Sequence, residues 1–528
     1  GFYLGLDLGT QSAKAVLCTI SNDSPHTCTL VAAGHSLEIR MNDSECSDHA
    51  EQDPTRWISA IQEACHDLVR NYSSQFSQSL AVERICSVAV SGHQHGLVLL
   101  DESDAIVRPC MMWCDTRAVA EAEELSTFAK YVCPPGFTAP KIMWLKKNEP
   151  NNYRRTSKIM LPHDYINYYL SGNTIHAMER GDSSGMGIFS LKSGNTFDSK
   201  LVDFIDTDLS SKLPSCIVDP HAPIGTVSPH IMRELFPDCP CRTYDCSLER
   251  KILIAPGCGD NAMSTLAVMS FSASAVSTPL IMSLGTSGTL STVSSHPLID
   301  PSGGIAPFCD STGNFLPLIC VQNCSLIPEE IRKTFPNLSI EAITALAEQE
   351  PPGCEGVLLL PYLSEGGERT PNWPNSSGCL IGLKHGHLQR PGLLYRAALE
   401  SIAFALLRGY RRMVQHGLQP SEDTKISLVG GGSNNHLWRQ IIADVFQMSV
   451  QVNGHQESMN AASAVGAALQ AAAIACEVPV GKVTVVLPDG NVSECHPCRD
   501  ATLIGVYDTM FKRHVAISNS LFASHVPV

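Results

Sequence analysis

The stretch FYLGLDLGTQSAKAVLCTI, residues 2–20, decides the fold, because an apolar run enters a polar turn and a second apolar run leaves it. Apolar and small residues on both sides of a Gly-Thr turn predict a buried β-hairpin. A similar stretch, PLIMSLGTSGTLSTV, occupies residues 279–293. Each stretch lies near the start of one half of the chain. We therefore interpret the two hairpins as copies of one duplicated domain.

The two glycine turns differ from the common nucleotide motifs, because they lead into a strand and not into a helix N-terminus. Successive N–H groups of such a turn can cradle a phosphate, and glycine lets the anion approach the backbone closely. An ordinary tight turn is the alternative for either stretch alone. The candidate phosphate-binding residues are Gly9, Thr10, Gln11, Ser12 and nearby Lys14 in the first turn, and Gly285, Thr286 and Ser287 in the second.

Composition limits the class of protein. A chain of 528 residues is too long for one hydrophobic core, so at least two domains are expected. Apolar residues make up 44% and charged residues 17%, which is typical of a globular protein and argues against disorder. The formal net charge of −15 argues against nucleic acid as a partner, since phosphate backbones select basic surfaces.

The 21 cysteines are scattered, which favours a reduced cytoplasmic protein over a disulfide scaffold. A zinc site is the alternative if the cluster Cys239, Cys241 and Cys246 meets Cys495 and Cys498. The sequence starts directly with a predicted strand and no leader pattern, and we expect no membrane partner.

Between and after the hairpins, apolar strands alternate with helical patterns. Helices are predicted at Trp57–Val69, 340–349, 392–416, 436–447 and 459–476. Proline and charge near 240–250 place a domain boundary there, with domains at 1–247 and 248–528. The tail after about residue 485 has a weak pattern and could pack back across both domains.

Asp7, at the end of the first predicted strand, is a carboxylate suited to Mg²⁺. Two further loops also carry candidate chemistry. The stretch LVGGGSNN brings Gly430, Gly431, Gly432, Ser433 and Asn435 to a strand-to-helix turn. Bare glycine backbone there could seat a base or ribose, and a flexible connection is the alternative.

The apolar strand KILIAP delivers Asp260 to a glycine-flanked turn. Phosphoryl transfer to a hydroxyl needs a base beside the nucleophile, and Asp260 is the best candidate. The alternative is that Asp260 only caps the following helix.

From about residue 2 to 475 the chain resembles the FGGY carbohydrate kinases. The motifs that carry the resemblance are DLGT at 7–10, EQDPTRW at 51–57, SGHQHG at 91–96, WCDTR at 113–117, PGFTAPKIMWLKKNEP at 135–150, LPHDYI at 161–166, GCGDNA at 257–262, SLGTSG at 283–288, GERTP at 367–371 and GGGSNNHLWRQIIADV at 430–445. The resemblance departs at Val321–Glu330, where the family usually has a Trp and this chain has none.

The resemblance implies an α/β fold, a duplicated actin-like, ribonuclease-H-like ATPase with an interdomain cleft. It implies Asp260 as general base, Asp7 as the Mg²⁺ residue, and ATP phosphates near Thr10 and the second turn. It also implies that Gln94, His95, Asp260 and Asn261 bind the sugar. His93 and His95 have an alternative as a metal pair, and a core or hydrogen-bonded histidine is the plainer interpretation of His93.

Within the family, the resemblance implies transfer of the ATP γ-phosphate to the terminal hydroxyl of D-xylulose by a monomer or homodimer. Ribulose, glycerol and sedoheptulose are rival substrates. A chaperone-type or filament ATPase, or a binding protein without catalysis, is the rival from another class.

Overall fold

The computed structural model describes residues 1–20, 26–192, 194–237, 251–271, 278–364, 367–453, 461–486 and 492–523. Two large mixed sheets organise these residues. The first sheet runs in the spatial order Gly225–Thr226, Leu253–Ile254, Ile85–Gly92, Phe2–Leu8, Ala13–Ile20, Thr27–His35 and Thr484–Val486, and Cys258–Gly259 pairs beside Ile85–Gly92. The second sheet runs in the order Ala306–Cys309, Phe315–Val321, Gly288–Ser291, Leu280–Leu284, Ile426–Val429, Val450–Asn453 and Val492–Cys495.

The two sheets share one topology around their hairpins, which confirms the predicted duplication. In each, the first hairpin strand pairs antiparallel with the second and parallel with a later strand. Phe2–Leu8 has Ala13–Ile20 and Ile85–Gly92 as these neighbours. Leu280–Leu284 has Gly288–Ser291 and Ile426–Val429. A further antiparallel strand then extends each sheet from the second hairpin strand.

Smaller strand pairs and helices complete the structure. The small pairs are Glu51–Gln52 with Cys110–Met111, Val98–Leu100 with Lys158–Met160, Met178–Glu179 with Ile217–Val218, and Leu358–Leu360 with Cys379–Ile381. The α-helices are Pro54–Phe76, Val119–Ala129, Thr138–Asn148, Pro150–Arg155, Pro162–Leu170, Arg180–Ser183, Ser199–Ile205, Leu209–Lys212, Pro229–Leu235, Asp260–Phe271, Leu326–Lys333, Ile340–Glu348, Pro391–Gln415, His436–Phe446, Ala462–Ala475 and Ala501–Phe522. Short 3-10 helices occupy Val82–Arg84, Cys354–Gly356, His387–Gln389 and Gly431–Asn434.

The five predicted helices are confirmed, and the first is longer than its pattern suggested. It begins at Pro54 because the Asp53 side chain accepts the N–H of Thr55 at 2.9 Å, and proline is well suited to a first helical turn. Although the sequence after residue 485 has a weak pattern, this segment contains the helix Ala501–Phe522, which packs into the core of the second sheet.

The first sheet is buried on both faces. Alternate residues of its first strand point to opposite sides, so Leu4 and Leu6 join the core under Pro54–Phe76 while Tyr3 joins the other core. That other core is built by Asp260–Phe271 and the Ala-rich helix Ala462–Ala475.

The expected domain boundary at 247 and 248 falls outside the described residues and stays a prediction. Three short strands beyond it, Leu253–Ile254, Cys258–Gly259 and Thr484–Val486, belong to the first sheet. Val492–Cys495 and the final helix pack with the second. The chain therefore crosses between the two sheets more than once.

Candidate functional site

The first hairpin turn is a four-residue loop, because Leu8 pairs with Ala13 across it. The N–H of Gly9 donates to the carbonyl of Ser12 at 3.0 Å, which closes the turn. Thr10 is bound by two residues from outside the turn. Gln52 donates to its carbonyl at 2.8 Å, and the indole of exposed Trp113 donates to its hydroxyl at 3.1 Å. Gln11 is tied through its carbonyl to the Ile39 N–H. The Gly9 N–H is thus already engaged, and a phosphate would meet the later N–H groups of this turn.

Asp7 lies at the end of the first strand and is 6% exposed. The hydroxyl of Ser91, its neighbour on the parallel strand, donates to Oδ1 at 2.9 Å. Lys14 faces Asp7 across the hairpin. Burial raises the pKa of Asp7, and Lys14 and Ser91 act against that rise. A buried carboxylate at the end of a strand is chemically suited to a hard cation such as Mg²⁺.

The second hairpin turn is one residue shorter, because Leu284 pairs with Gly288. The Gly285 N–H donates to the Ser287 carbonyl at 3.2 Å, and Ser325 donates to the Gly285 carbonyl at 3.0 Å. Thr286 is exposed at the tip of the turn. The carbonyl side of this turn is therefore covered, while its tip stays accessible.

The glycine turn at 430–432 packs directly against the residue that precedes the second hairpin turn. Gly430 has φ +85°, and a Cβ there would lie 2.9 Å from the Leu284 carbonyl oxygen. A Cβ on Gly432 would lie 2.6 Å from the Trp438 ring, whereas nothing lies within 4 Å of one on Gly431. Close backbone contact requires glycine at 430 and 432, and only Gly431 borders open space.

Ser433 and Asn435 use their side chains inside this turn. The Ser433 hydroxyl donates to the Gly430 carbonyl at 2.7 Å. The Asn435 carboxamide oxygen accepts the Trp438 N–H at 3.1 Å and so caps the helix His436–Phe446. Both residues thus shape the turn, and its backbone is the part that can meet a nucleotide.

Asp260 is the first residue of the helix Asp260–Phe271 and follows the short strand Cys258–Gly259. The Asn261 backbone N–H and carboxamide both donate to Asp260 Oδ1, at 2.8 and 3.1 Å. Burial, together with the charges of Asp7 and Asp182, raises the pKa of Asp260 to about 7. Asp260 is thus the first residue of the helix and accepts one N–H of its first turn, and it also carries a carboxyl group poised to exchange a proton near neutral pH.

Gln94 and Asn261 lie side by side next to Asp260. The Asn261 carboxamide donates to Gln94 Oε1 at 3.1 Å. A Cβ on Gly259 would lie 2.6 Å from the Gln94 side chain, so glycine at 259 leaves room for that amide. The structure thus brings these three predicted sugar-binding side chains together.

His95 completes the group of predicted sugar-binding residues. Its Nδ1 lies 2.8 Å from the Gly185 carbonyl, which can only accept, so Nδ1 carries the proton. Burial and the charges of Lys141 and Arg369 lower its pKa well below the ordinary value. The ring stacks on Phe137 with centroids 4.5 Å apart. Neutral His95 therefore has Nε2 free of a proton as a hydrogen-bond acceptor.

Lys141 supports the loop that carries His95, a role that sequence reasoning missed. Its buried ammonium donates to the carbonyls of His95 at 3.0 Å and of Met112. Burial lowers the pKa of Lys141 to about 8. The only signal was its place in the PGFTAPK motif, which gives no hint of its partners.

His93 is buried and packs edge-on against Trp57, with ring centroids 5.1 Å apart. Neither of its ring nitrogens has a hydrogen-bond partner in the described part of the chain. His93 is thus a core histidine, one of the two forms expected for it, and not a hydrogen-bonded one. Among the described residues, no metal-binding group includes His93 or His95.

Cys495 and Cys498 likewise belong to no metal-binding group within the described ranges. The Cys495 thiol instead donates to the Gln440 carboxamide at 2.9 Å. Cys239, Cys241 and Cys246 lie outside the described residues. None of the described helices has the length and apolarity that a membrane span requires.

Sequence comparisons match this architecture to one family across both halves of the chain. The N-terminal domain model of the FGGY family of carbohydrate kinases matches residues 2–238, and the C-terminal domain model matches residues 280–475. A xylulose kinase from Haemophilus influenzae is 32% identical over 483 residues, covering 89% of this chain and 90% of that protein. A xylulose kinase from Streptomyces rubiginosus is 32% identical over 489 residues, covering 89% and 87%.

Solved structures agree in overall fold. A protein described as a xyloylose kinase from Brucella ovis superposes with a TM-score of 0.83 at 27% identity, and the match covers 99% of both chains. The xylulose kinase from Bifidobacterium adolescentis gives a TM-score of 0.76 at 25% identity, covering 96% of this chain and 99% of that one.

Proposed function

Because the chain belongs to the FGGY family of carbohydrate kinases, we propose that it transfers the γ-phosphate of ATP to the terminal hydroxyl of D-xylulose, giving D-xylulose 5-phosphate. The xylulose kinases described above span nearly the whole chain, which supports this substrate. The observation that carries the proposal is the Asp260 carboxyl, whose pKa is about 7 and which lies beside Gln94 and Asn261.

Asp260 acts as the general base. At neutral pH a carboxyl of pKa about 7 is divided between its two forms, so it can accept the proton of the attacking hydroxyl and release it again. Its Oδ1 is occupied by Asn261, which orients the group and leaves Oδ2 for the substrate.

Three neighbouring side chains hold the sugar. His95 Nε2 accepts a hydrogen bond from one hydroxyl, because its Nδ1 proton is committed to Gly185. The carboxamides of Gln94 and Asn261 offer donors and acceptors beside Asp260. A ketose presents both a carbonyl and several hydroxyls, and this mixed set of groups suits it.

The nucleotide lies between the two hairpin turns and the glycine turn at 430–432. The N–H groups after Gly9 and Gly285 and the hydroxyls of Thr10, Ser12, Thr286 and Ser287 cradle the phosphates. Asp7 would hold Mg²⁺, which when bound offsets the negative charge of the phosphates. Lys14 adds a positive charge opposite Asp7. The bare backbone of Gly431 and its neighbours receives the nucleoside.

Residues 1–247 would then form a mainly sugar-binding domain and residues 248–528 a mainly nucleotide-binding domain, in a cytoplasmic monomer or homodimer. Asp260 and Asn261 of the second domain would reach the sugar, and the Gly9 turn of the first would reach the phosphates. The two parts touch at the sugar site: the Asn261 carboxamide donates to Gln94, and the ring centroid of Phe308 from the second sheet lies 5.6 Å from that of His95. Closing the site upon sugar binding would exclude water, which otherwise competes as phosphate acceptor.

The test is ADP release from Mg-ATP with each of a panel of sugars. D-Xylulose is expected to give the highest kcat/KM, ahead of D-ribulose, glycerol and sedoheptulose, with little release in the absence of sugar. ADP release that ignores every sugar would mark a chaperone-type ATPase and refute the proposal. A higher kcat/KM with another sugar would keep the kinase and replace the substrate.

A further inference from the structure

A buried carboxamide lies directly behind the first hairpin turn. Gln52 is 0% exposed and stands on the short strand Glu51–Gln52, which pairs with Cys110–Met111. Its Nε2 donates to the Thr10 carbonyl at 2.8 Å, and the two residues are 42 positions apart in the chain. The turn is therefore supported by a side chain that does not belong to the hairpin.

The other end of this carboxamide is fixed as well. Gln52 Oε1 accepts the indole N–H of Trp57 at 2.8 Å, and Trp57 is 0% exposed in the helix Pro54–Phe76. An indole N–H can only donate, and a backbone carbonyl can only accept. The two partners thus leave one orientation for the amide, with its oxygen toward Trp57 and its NH₂ group toward Thr10.

The residues on either side of Gln52 are themselves held. Glu51 forms ion pairs with Arg108 and, at 2.6 Å, with Arg117, and both arginine side chains are buried. Asp53 caps the following helix through its side chain. Gln52 thus stands between two anchored neighbours and can bear on the turn without shifting.

The geometry of the peptide unit turns this support into a direction for the backbone donors. The two peptide bonds after Thr10 are trans, and in a trans unit the C=O and N–H groups point in opposite directions. Gln52 holds the Thr10 carbonyl, so the N–H of exposed Gln11 points away from Gln52. The Ile39 N–H holds the Gln11 carbonyl at 2.7 Å and so directs the Ser12 N–H in the same manner. Successive N–H groups directed away from the protein that holds their carbonyls are suited to an anion.

We propose that Gln52 is a positioning residue of the nucleotide site: its amide holds the Thr10 carbonyl back and thereby directs the Gln11 N–H toward the phosphates of ATP. This inference rests on the proposed kinase function. Gln52 lies behind the turn and is not among the predicted sugar-binding residues. Its loss should therefore weaken nucleotide binding and leave sugar binding largely intact.

The test compares Gln52→Met and Gln52→Glu with the unmodified protein. In Gln52→Met the Thr10 peptide loses its donor and can rotate, and one hydrogen bond to a charged phosphate is lost. Affinity for the Mg²⁺ complex of a non-hydrolysable ATP analogue, measured by calorimetry, should fall about 10- to 100-fold. The dissociation constant of D-xylulose should stay within about twofold.

Gln52→Glu adds a readout that a purely structural role would not move. The new carboxyl keeps an acceptor for the Trp57 indole. When ionised it cannot donate to the Thr10 carbonyl, whereas its protonated form has an O–H that can. Burial raises the pKa of such a carboxyl, so analogue affinity relative to the unmodified protein should be low at pH 8.5 and recover at pH 6. The loss in Gln52→Met should be the same at both pH values.

Gln62→Glu is the matched control, because it makes the same chemical change on the helix Pro54–Phe76. The Gln62 amide donates to Tyr169 and Glu234 and has no contact with the turn. Analogue affinity in this variant should stay within about twofold of the unmodified protein.

Unchanged analogue affinity in both Gln52 variants at pH 8.5 would overturn the inference. Equal losses for the analogue and the sugar would also overturn it, because they indicate general damage. A loss in Gln52→Glu that does not recover at pH 6 would contradict the role of the donor, and this variant serves alone if Gln52→Met fails to fold. Analogue binding is measured without sugar, so a wild-type protein that phosphorylates no sugar refutes the proposed function instead.

Discussion

Replacing Asp260 by Asn should abolish catalysis and, at alkaline pH, stabilise the protein. Asn has nearly the same shape, and its oxygen can still accept the two hydrogen bonds from Asn261. It cannot accept the proton of the sugar hydroxyl. A general base contributes about 10²- to 10⁴-fold in rate, so kcat should fall by at least that range while sugar binding survives.

The gain in stability follows from the same partly buried carboxylate. Asp260 titrates at about 7 in the folded protein against 3.8 for the ordinary carboxyl. Below pH 4 the group is neutral in both states and costs the folded protein nothing. As the pH rises from about 4 through 7, the carboxyl ionises first in the unfolded state, and the folded state is progressively destabilised. Three pH units correspond to about 4 kcal/mol as an upper bound, so the Asn variant should gain up to that amount above pH 7 and little at pH 4.

Three measurements test this reasoning: ADP release with D-xylulose, sugar binding by calorimetry, and thermal midpoints at pH 4.5 and 8.5. The exposed residue Asp43 gives a matched control, since Asp43→Asn removes one charge with no burial. Near-normal turnover in Asp260→Asn would remove Asp260 from the role of base. A midpoint shift of equal size at both pH values would refute the argument from the buried charge.

Two other predictions concern the nucleotide side. Asp7→Ala should eliminate activity or raise the Mg²⁺ concentration needed for half-maximal rate, and an unchanged Mg²⁺ dependence would refute its metal role. Gly430→Ala should raise KM for ATP at least tenfold, because φ is +85° and the new Cβ would lie 2.9 Å from the Leu284 carbonyl. Gly386→Ala is its control, since Gly386 has nearly the same φ, +87°, nothing lies within 4 Å of the new Cβ, and it has no place in the proposed nucleotide site; equal effects of both changes would contradict the packing argument.

The duplicated fold could be predicted because both hairpins carry local signals. An apolar run, a Gly-Thr turn and a second apolar run specify a hairpin without help from distant residues. The parallel neighbour of each hairpin could not be assigned from the sequence. Ile85–Gly92 and Ile426–Val429 were only apolar runs, and parallel pairing is set by long-range packing.

The packing position of the Ala-rich helix Ala462–Ala475 could not be predicted from the local sequence. Its composition predicted a helix, and its packing against the first sheet was not predicted. A Cβ on Gly5 would lie 2.0 Å from the Ala464 carbonyl, so the helix rests almost directly on the first strand. Small residues on both elements allow this approach, but they are compatible with many partners, and only the fold selects one.

The candidate site likewise has residues that the sequence predicts and contacts that it does not. Asp7 and Asp260 stand at strand ends in recognisable turns, which the sequence displays. The buried imidazole of His163, by contrast, lies 2.8 Å from Asp182 and 3.0 Å from Asp164. His163 and Asp182 stand on different helices and meet only through the fold. LPHDYI was visible as a motif, but nothing in it shows that its histidine lies between two carboxylates.

The sequence predicts two equivalent hairpins, but the charged groups around them differ in the structure. At the end of the first strand, Asp7 pairs with Ser91, whereas the second hairpin has Ser283 beside Val429. A carboxylate at Ser283 would have no hydroxyl from Val429 to offset its burial, and it would repel the phosphates. The first half can bear buried acids because Lys14 faces Asp7 and the His163 cation lies between Asp164 and Asp182. The proposed difference between the hairpins, with the metal site on the first and only a phosphate cradle on the second, thus follows from where the compensating charges lie.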